Sequence, residues 1–115
     1  MKKIFSSVLL ILIMFATPLL ANKKQNVLIL HSYNQSYKWT NDLNNGIDEV
    51  LKEKFTNIRV FIEYMDTKRY VNNNHYENLF NLYTNKYKDV KFDLIISSDN
   101  NAYNFLKKYN KTLFK

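Results

Sequence analysis

The chain has 115 residues, a formal net charge of +7 and no cysteine. The lack of cysteine excludes disulfide bonds, thiol catalysis and cysteine-ligated metal sites. The lysines are scattered and form no block of five or six, so the positive charge is typical of solvated helix surfaces and does not indicate a nucleic-acid partner.

The first residues have the pattern of a secretion signal. Lys2 and Lys3 precede an apolar run over residues 8–16, and Ala21 supplies the small residue that a signal peptidase needs. The run is shorter than the roughly 20 apolar residues that a membrane span requires. We therefore predict a cleaved signal peptide over residues 1–21.

Residues 22–115 are then expected to form one domain outside the cytoplasm, in the periplasm or an equivalent extracytoplasmic space. This length allows one modest core and not two. The alternative is an uncleaved anchor over residues 4–20, which would attach the same domain to the membrane.

Three strand patterns follow in chain order. Residues 26–30 contain a continuous apolar run, typical of a strand buried on both faces, and residues 58–65 alternate, which indicates a strand nearer a sheet edge. Residues 92–96 predict a short buried strand.

Helical patterns follow each of these strands. Thr40 is the predicted cap of a first helix, whose apolar residues Leu43, Ile47, Val50 and Leu51 fall at i, i+4, i+7 and i+8. A second helix is predicted from the asparagines at 72–74 to about residue 87, and a third one over about residues 102–109.

Strands that alternate with helices of these lengths imply right-handed crossovers and a parallel sheet. The predicted fold class is therefore α/β, a three-layer βαβαβα parallel-sheet half of a doubly wound domain. Such sheets bind ligands at the carboxyl ends of their strands, which here are followed by residues 31–39, 66–70 and 97–101. Helix N-termini at these loops favour carboxylate, phosphate or polar groups.

The aromatic and polar residues of the first loop each allow two interpretations. Trp39 and Tyr37 can stack on a ligand ring or act as a hydrophobic staple at the helix start. His31 is more typical of a hydrogen-bonded structural histidine than of an acid-base group or metal ligand. Ser32 and Ser98 can bind polar ligand atoms or cap local backbone.

The acidic residues of the other loops are also ambiguous. Asp99 favours the role of a helix cap over that of a ligand contact. Asp66, Lys68 and Arg69 can contact a ligand or form an ion pair that orders their loop.

Catalytic patterns are weak in this sequence. A nucleophile elbow, a phosphate-binding glycine loop and a dinucleotide fingerprint all require several glycines, and Gly46 is the only one. A phosphate-accepting receiver domain would carry acidic residues where this chain has His31, Ser32 and Tyr33. We therefore expect no enzyme activity, no cofactor and no metal site.

Three segments resemble a known family: ILHSYNQSYKWTNDLNNGI at 29–47, IEYMDTKRY at 62–70 and FDLIISSDNNAYNFL at 92–106. They look like the amino-terminal part of the ABC-transporter substrate-binding-protein-like family, which has the type I periplasmic-binding-protein fold. The resemblance is strongest to the versions that form extracytoplasmic sensor regions of bacterial histidine kinases and diguanylate cyclases.

The resemblance implies a two-lobed protein that closes on a small molecule held between the lobes. The candidate ligands are amino acids and other small carboxylates. The implied partners are a second lobe and either an ABC permease or a kinase or cyclase output domain. Carried over by position, the first lobe's ligand-binding residues are Ser32, Tyr33, Trp39, Asp66, Ser98 and Asp99.

Members of this family are longer than this chain, and the sequence covers at most part of the first lobe. We therefore expect a truncated part of a solute-binding protein or sensor input domain. The alternative is a structural or interaction fragment without its own ligand, which pairs with a separately encoded remainder.

Overall fold

The computed structural model describes residues 23–114 of the chain. Strands and helices alternate in the order β1 (Gln25–His31), α1 (Lys38–Lys54), β2 (Ile58–Tyr64), α2 (Asn73–Lys86), β3 (Leu94–Ser98) and α3 (Asp99–Leu113). The predicted signal peptide lies outside the described residues. Within the described range, none of the helices has the length and apolar content needed to cross a bilayer.

The three strands form one parallel sheet in the order β2-β1-β3. His31 pairs with Tyr64 of β2 and with Ser98 of β3, so the three strands end at the same level. The predicted parallel α/β arrangement is confirmed. The prediction that the second strand lies nearer a sheet edge than the first is confirmed as well.

Helices cover both faces of the sheet. α1 packs on the face that carries Val27 and Ile29, whereas α2 and α3 pack on the opposite face, where Leu30 and Phe61 lie. This division follows from the strand order, because right-handed connections from β1 to β2 and from β2 back across to β3 pass over opposite faces. The described residues therefore form three layers.

The larger core lies between the sheet and helices α2 and α3, and it is rich in aromatic side chains. Tyr83 meets Phe105 edge to face with ring centroids 5.9 Å apart, and Tyr87 meets Phe92 in the same way at 5.1 Å. Such pairs add about 0.5–1.5 kcal/mol each beyond the burial of their surface. These contacts join α2 and α3 to each other and to the chain segment before β3.

The core under α1 is smaller. Its buried members among the described residues are Val27, Ile29 and Leu51, with Ile96 of β3 partly buried against them. Leu94 of β3 remains 47% exposed. This core is small and Leu94 is exposed because α1 is the single described helix on that face of the sheet.

The start of α1 differs from the prediction. The helix begins at Lys38 with Tyr37 at the N-cap position, so the prediction of Thr40 as the cap is wrong. The turn in which the Tyr37 N–H donates to the Asn34 carbonyl brings the chain into the helix three residues earlier than predicted. Thr40 is fully buried inside the first turn, and its Oγ1 has no hydrogen-bond partner among residues 23–114.

β3 begins two residues later than predicted. Phe92 is not part of the strand, because its ring packs into the core against Phe61 at 5.3 Å and Phe114 at 5.5 Å. Asp93 and Asn26 exchange backbone and side-chain hydrogen bonds just before the first pair of the ladder. The strand is also less buried than predicted, because it lies at an edge of the described sheet.

The caps of the other two helices give one confirmation and one correction. The Asn72 side chain accepts from the His75 N–H at 2.9 Å, which confirms the predicted cap of α2. Asp99 is not the cap of α3, because Ser98 occupies that position and Asp99 is the first helical residue. The Asp99 carboxylate instead accepts from the neighbouring Asn100 N–H at 2.9 Å.

Candidate functional site

The candidate site lies at the carboxyl edge of the sheet. β1 leads into α1 on one face and β3 leads into α3 on the other, so the two connections diverge between neighbouring strands. Open α/β sheets bind ligands in the crevice at such a divergence. The loops after all three strands border this edge.

His31 ends β1 and is fully buried in a hydrogen-bonded setting. Its Nε2 donates to Asn44 Oδ1 at 3.0 Å, because an amide oxygen can only accept. Its Nδ1 then accepts from the Ser98 hydroxyl at 2.8 Å. Burial lowers the pKa of the imidazole, which keeps the ring neutral. These bonds agree with the interpretation of His31 as a structural histidine.

Ser32 is fully buried and joins β1 to the start of α3. Its hydroxyl donates to the Ser98 carbonyl at 2.7 Å and accepts from the Ala102 N–H at 2.8 Å. It therefore caps α3 from another element, which explains why that helix needs no side-chain cap of its own. The hydroxyls of both Ser32 and Ser98 are thus bound within the fold.

A second group of polar contacts joins the loop after β2 to the same point. The Thr67 N–H and Oγ1 both donate to the Ser32 carbonyl, at 2.8 and 2.7 Å. The Asn101 side-chain amide donates to Thr67 Oγ1 at 2.8 Å. All three loops are therefore fixed to one another by hydrogen bonds that are largely removed from solvent.

Two aspartates at this edge have a left-handed backbone. Asp66, after β2, has φ 56°, and Asp99, after β3, has φ 70°. Aspartate tolerates this region better than most residues, but an L-residue there still costs about 1–2 kcal/mol. Such strain persists where the surrounding contacts enforce it, and it clusters at functional sites.

The exposed part of the edge carries an aromatic cluster, which consists of Tyr33, Tyr37, Trp39 and Lys68. The Tyr33 ring lies 6.3 Å from that of Trp39 and 6.4 Å from that of Tyr37. The Lys68 ammonium lies 4.8 Å from the centroids of both tyrosine rings. Trp39 is 54% exposed, so the cluster presents an open aromatic surface with a positive charge beside it.

The charges around the aromatic cluster are distributed between two loops. Arg69 donates from its Nε to both carboxylate oxygens of Asp66, at 3.0 and 2.8 Å, so this ion pair orders the loop. Partial burial, and then the neighbouring Asp99 carboxylate, raise the pKa of the Tyr33 phenol. Lys68 is the basic residue that faces the rings.

The start of α1 adds a further polar feature. Tyr37 makes no side-chain cap bond, and the first turn holds no acidic residue. The backbone N–H groups of this turn therefore carry a partial positive charge that no carboxylate of the same turn offsets. An anionic group beside the aromatic cluster would be favoured by this end of the helix and by Lys68.

The six residues carried over from the resemblance all lie at this edge, but they divide by accessibility. Tyr33, Trp39 and Asp99 have surface that a ligand can reach, and Asp66 is partly buried beneath its pair with Arg69. Ser32 and Ser98 are buried and position the loops. Their roles in binding stay predictions.

Three contributors to the edge were missed in the sequence. They are Asn44 in α1, Thr67 in the loop after β2 and Asn101 in α3. Their hydrogen-bond partners are 13 to 35 residues away along the chain. The one available signal was the position of Thr67 and Asn101 in the loops that follow predicted strands, and no such signal pointed to Asn44 inside α1. Among residues 23–114 no group of three or more His, Asp or Glu side chains is arranged to hold a metal ion.

Comparison with protein-family models, with curated proteins and with solved structures finds no match to this chain.

Proposed function

We propose that this domain contributes one wall of a binding cleft for a small molecule, as a solute-binding or sensing module outside the cytoplasm. The observation that carries the proposal is the aromatic cluster at the carboxyl edge. Exposed aromatic rings beside a cation, at the point where the connections of a parallel sheet diverge, are suited to a ligand with a flat or apolar part and an anionic group.

The ligand class follows from the groups that surround the aromatic cluster. Lys68 and the uncapped start of α1 favour a carboxylate, whereas the Asp99 carboxylate can accept from an ammonium group. An amino acid carries both of these charges, and another small carboxylate carries the anionic one.

The described residues supply one wall of the proposed site. Clefts that hold small molecules tightly bury most of the ligand surface, and the cluster with Trp39 more than half exposed covers one side. A second lobe, as the resemblance implies, would supply the opposite wall and would couple closure to an ABC permease or to a kinase or cyclase output domain. The predicted signal peptide supports export or membrane attachment of this module.

Thermal unfolding of the full chain with amino acids and small carboxylates tests the proposal. A ligand that binds only the folded state raises the unfolding midpoint as its concentration increases. We expect a rise with at least one ligand, and a smaller rise in Trp39→Ala. The matched control is Phe55→Ala, which removes a similarly exposed ring at the opposite end of α1 and should leave the ligand effect unchanged.

Two outcomes would contradict the proposal. In one, no compound of the panel shifts the midpoint of a chain that unfolds cooperatively. In the other, Trp39→Ala and Phe55→Ala reduce the ligand-induced rise of the midpoint equally. The ligand would then not bind specifically at the carboxyl edge.

A second candidate function is that of an interaction module without its own ligand. It is favoured by the partly exposed strand β3, which has no further strand on its outer side among the described residues. Unpaired edges of this kind readily accept another strand. The absence of any ligand effect in the thermal experiment would favour this candidate.

A further inference from the structure

A polar pocket lies between α2 and α3, on the face of the sheet opposite to α1. It has a volume of about 350 Å³, and its lining includes Asn73 and Glu77 of α2 together with Asn101, Asn104 and Lys108 of α3. Sites that hold a small molecule have volumes of about 300–1,000 Å³. The pocket is therefore large enough for one small molecule.

Three aromatic rings complete the lining of the pocket. Tyr76 of α2 stacks on Phe105 of α3 with ring centroids 6.4 Å apart, and Phe105 lies 4.9 Å from Tyr109. Phe105 is buried and the two tyrosines are partly buried, so the rings form the inner side of the pocket. The C–H face of a small ring can lie against such aromatic surfaces.

The side-chain amides of three asparagines converge on the pocket. The Asn101 amide nitrogen donates to Thr67 Oγ1 at 2.8 Å, which holds this side chain in place. Asn73 and Asn104 form no side-chain hydrogen bond with other residues of the described range. An amide both donates and accepts hydrogen bonds, and a hydroxyl group does the same. Hydroxyl groups on the ligand would therefore complement these side chains.

Glu77 and Lys108 bring opposite charges to the two helices that form the pocket. The neighbouring Tyr109 phenol, and to a smaller extent the Glu77 carboxylate, raise the pKa of Lys108, so the two charges lie near each other. Neither belongs to an ion pair among residues 23–114. Because the charges offset each other, the lining favours an uncharged ligand, to which one accepts and the other donates hydrogen bonds.

The pocket differs from the carboxyl edge in position and in charge. Trp39 lies at the start of α1, which packs on the other face of the sheet. The aromatic cluster there has the Lys68 ammonium beside it and suits an anionic group. The pocket between α2 and α3 thus calls for a different class of ligand.

We propose that the pocket between α2 and α3 binds a monosaccharide, which is an uncharged ring with several hydroxyl groups. The C–H face of the sugar lies against Tyr76 and Tyr109, and its hydroxyl groups exchange hydrogen bonds with Asn73, Asn104 and Glu77. This site does not depend on the ligand that we propose for the carboxyl edge.

Calorimetric titration of the full chain with glucose, galactose, mannose and N-acetylglucosamine tests the proposal. We expect saturable binding of at least one of these sugars. Asn104→Leu replaces an amide of the pocket with an apolar side chain and should weaken the affinity at least tenfold. Asn110→Leu makes the same change at an exposed position of α3 outside the lining, and it should leave the affinity unchanged.

A second pair of variants tests the charged groups. Lys108→Met removes the ammonium from the pocket and should weaken sugar binding, whereas Lys107→Met changes the neighbouring exposed lysine, which does not line the pocket, and should not. All four positions are exposed, so the unfolding midpoints should stay close to that of the unaltered chain.

The proposal is overturned if none of the sugars binds to the full chain, or if Asn104→Leu and Asn110→Leu weaken binding equally. Trp39→Ala separates this site from the carboxyl edge, and sugar binding should be unchanged in that variant. Loss of sugar binding in Trp39→Ala would place the sugar at the carboxyl edge and would also overturn the proposal.

Discussion

At the scale of single residues, the carboxyl edge contains polar groups of two kinds. His31, Ser32 and Ser98 are buried and have their hydrogen bonds within the fold. Tyr33 and Trp39 keep surface that a ligand can reach. The buried group holds the loops in place, and the accessible group is the one that the proposed ligand would contact.

His31 should make stability depend on pH. Burial lowers its pKa below the ordinary value of 6.5, so the unfolded chain binds a proton that the folded chain does not. Its stabilising effect is complete above about pH 6.5 and decreases as the pH falls from there toward the folded-state pKa. We expect the midpoint temperature of unfolding to decrease as the pH is lowered from about 7.5 to about 5.5. The decrease should be smaller in His31→Gln.

His75→Gln is the control for this measurement. It replaces the second histidine, which lies at the start of α2, and should retain the pH slope that His31 causes. If the midpoint temperature depends equally on pH in the unaltered chain and in His31→Gln, protonation of His31 does not cause the pH dependence of stability.

The sequence predicted which residues lie at the edge but not how they bond. The structural role of His31 could be inferred because no second metal ligand lies at suitable spacing. Its partners Asn44 and Ser98 could not, because both contacts depend on how α1 and β3 pack against β1. The placement of Lys68 over Tyr33 likewise depends on the packing of two loops.

At the scale of the elements, α2 and its C-cap position carry two buried tyrosines with different surroundings. Tyr87 donates a hydrogen bond to the Glu63 carboxylate of β2, whereas the Tyr83 hydroxyl has no partner among the described residues. Burial is the largest cause that raises the pKa of each phenol, followed by the effect of Glu63. Both hydroxyls therefore stay protonated, but only that of Tyr87 has a described hydrogen bond.

Phenylalanine at these two positions should have opposite effects on stability. Tyr83→Phe removes a buried hydroxyl without a described partner and should raise the free energy of unfolding by about 1 kcal/mol. Tyr87→Phe removes a hydrogen bond to a carboxylate and should lower it by about 2 kcal/mol. Urea unfolding of the two variants measures both values. A loss of stability in Tyr83→Phe would mean that its hydroxyl has a partner.

Element types could be predicted from sequence, and element boundaries only in part. The period of apolar residues gave three strands and three helices in the right order, and the Asn72 cap is a local signal. The start of β3 was misplaced because Phe92 is apolar like a strand residue but fills the core below the sheet. The start of α1 was misplaced because the Tyr37 cap position uses no side-chain bond.

At the scale of the whole molecule, the described residues have two surfaces, besides the polar pocket between α2 and α3, that the fold itself does not use. One is the carboxyl edge with its aromatic cluster, and the other is an apolar groove beside Gly46 of α1. The sheet order explains the groove, because among the described residues β3 lies at an outer edge and α1 is the one helix on that face.

Trp39 gives the most direct test of ligand binding at the carboxyl edge, because it is the single tryptophan of the chain and lies in the aromatic cluster. We would titrate the full chain with amino acids and small carboxylates and record the tryptophan fluorescence. We expect a saturable change in emission with a ligand that also raises the unfolding midpoint, and a weaker affinity for that ligand in Lys68→Met. If a ligand raises the midpoint while Trp39 emission stays constant, binding lies elsewhere and the proposed site is wrong.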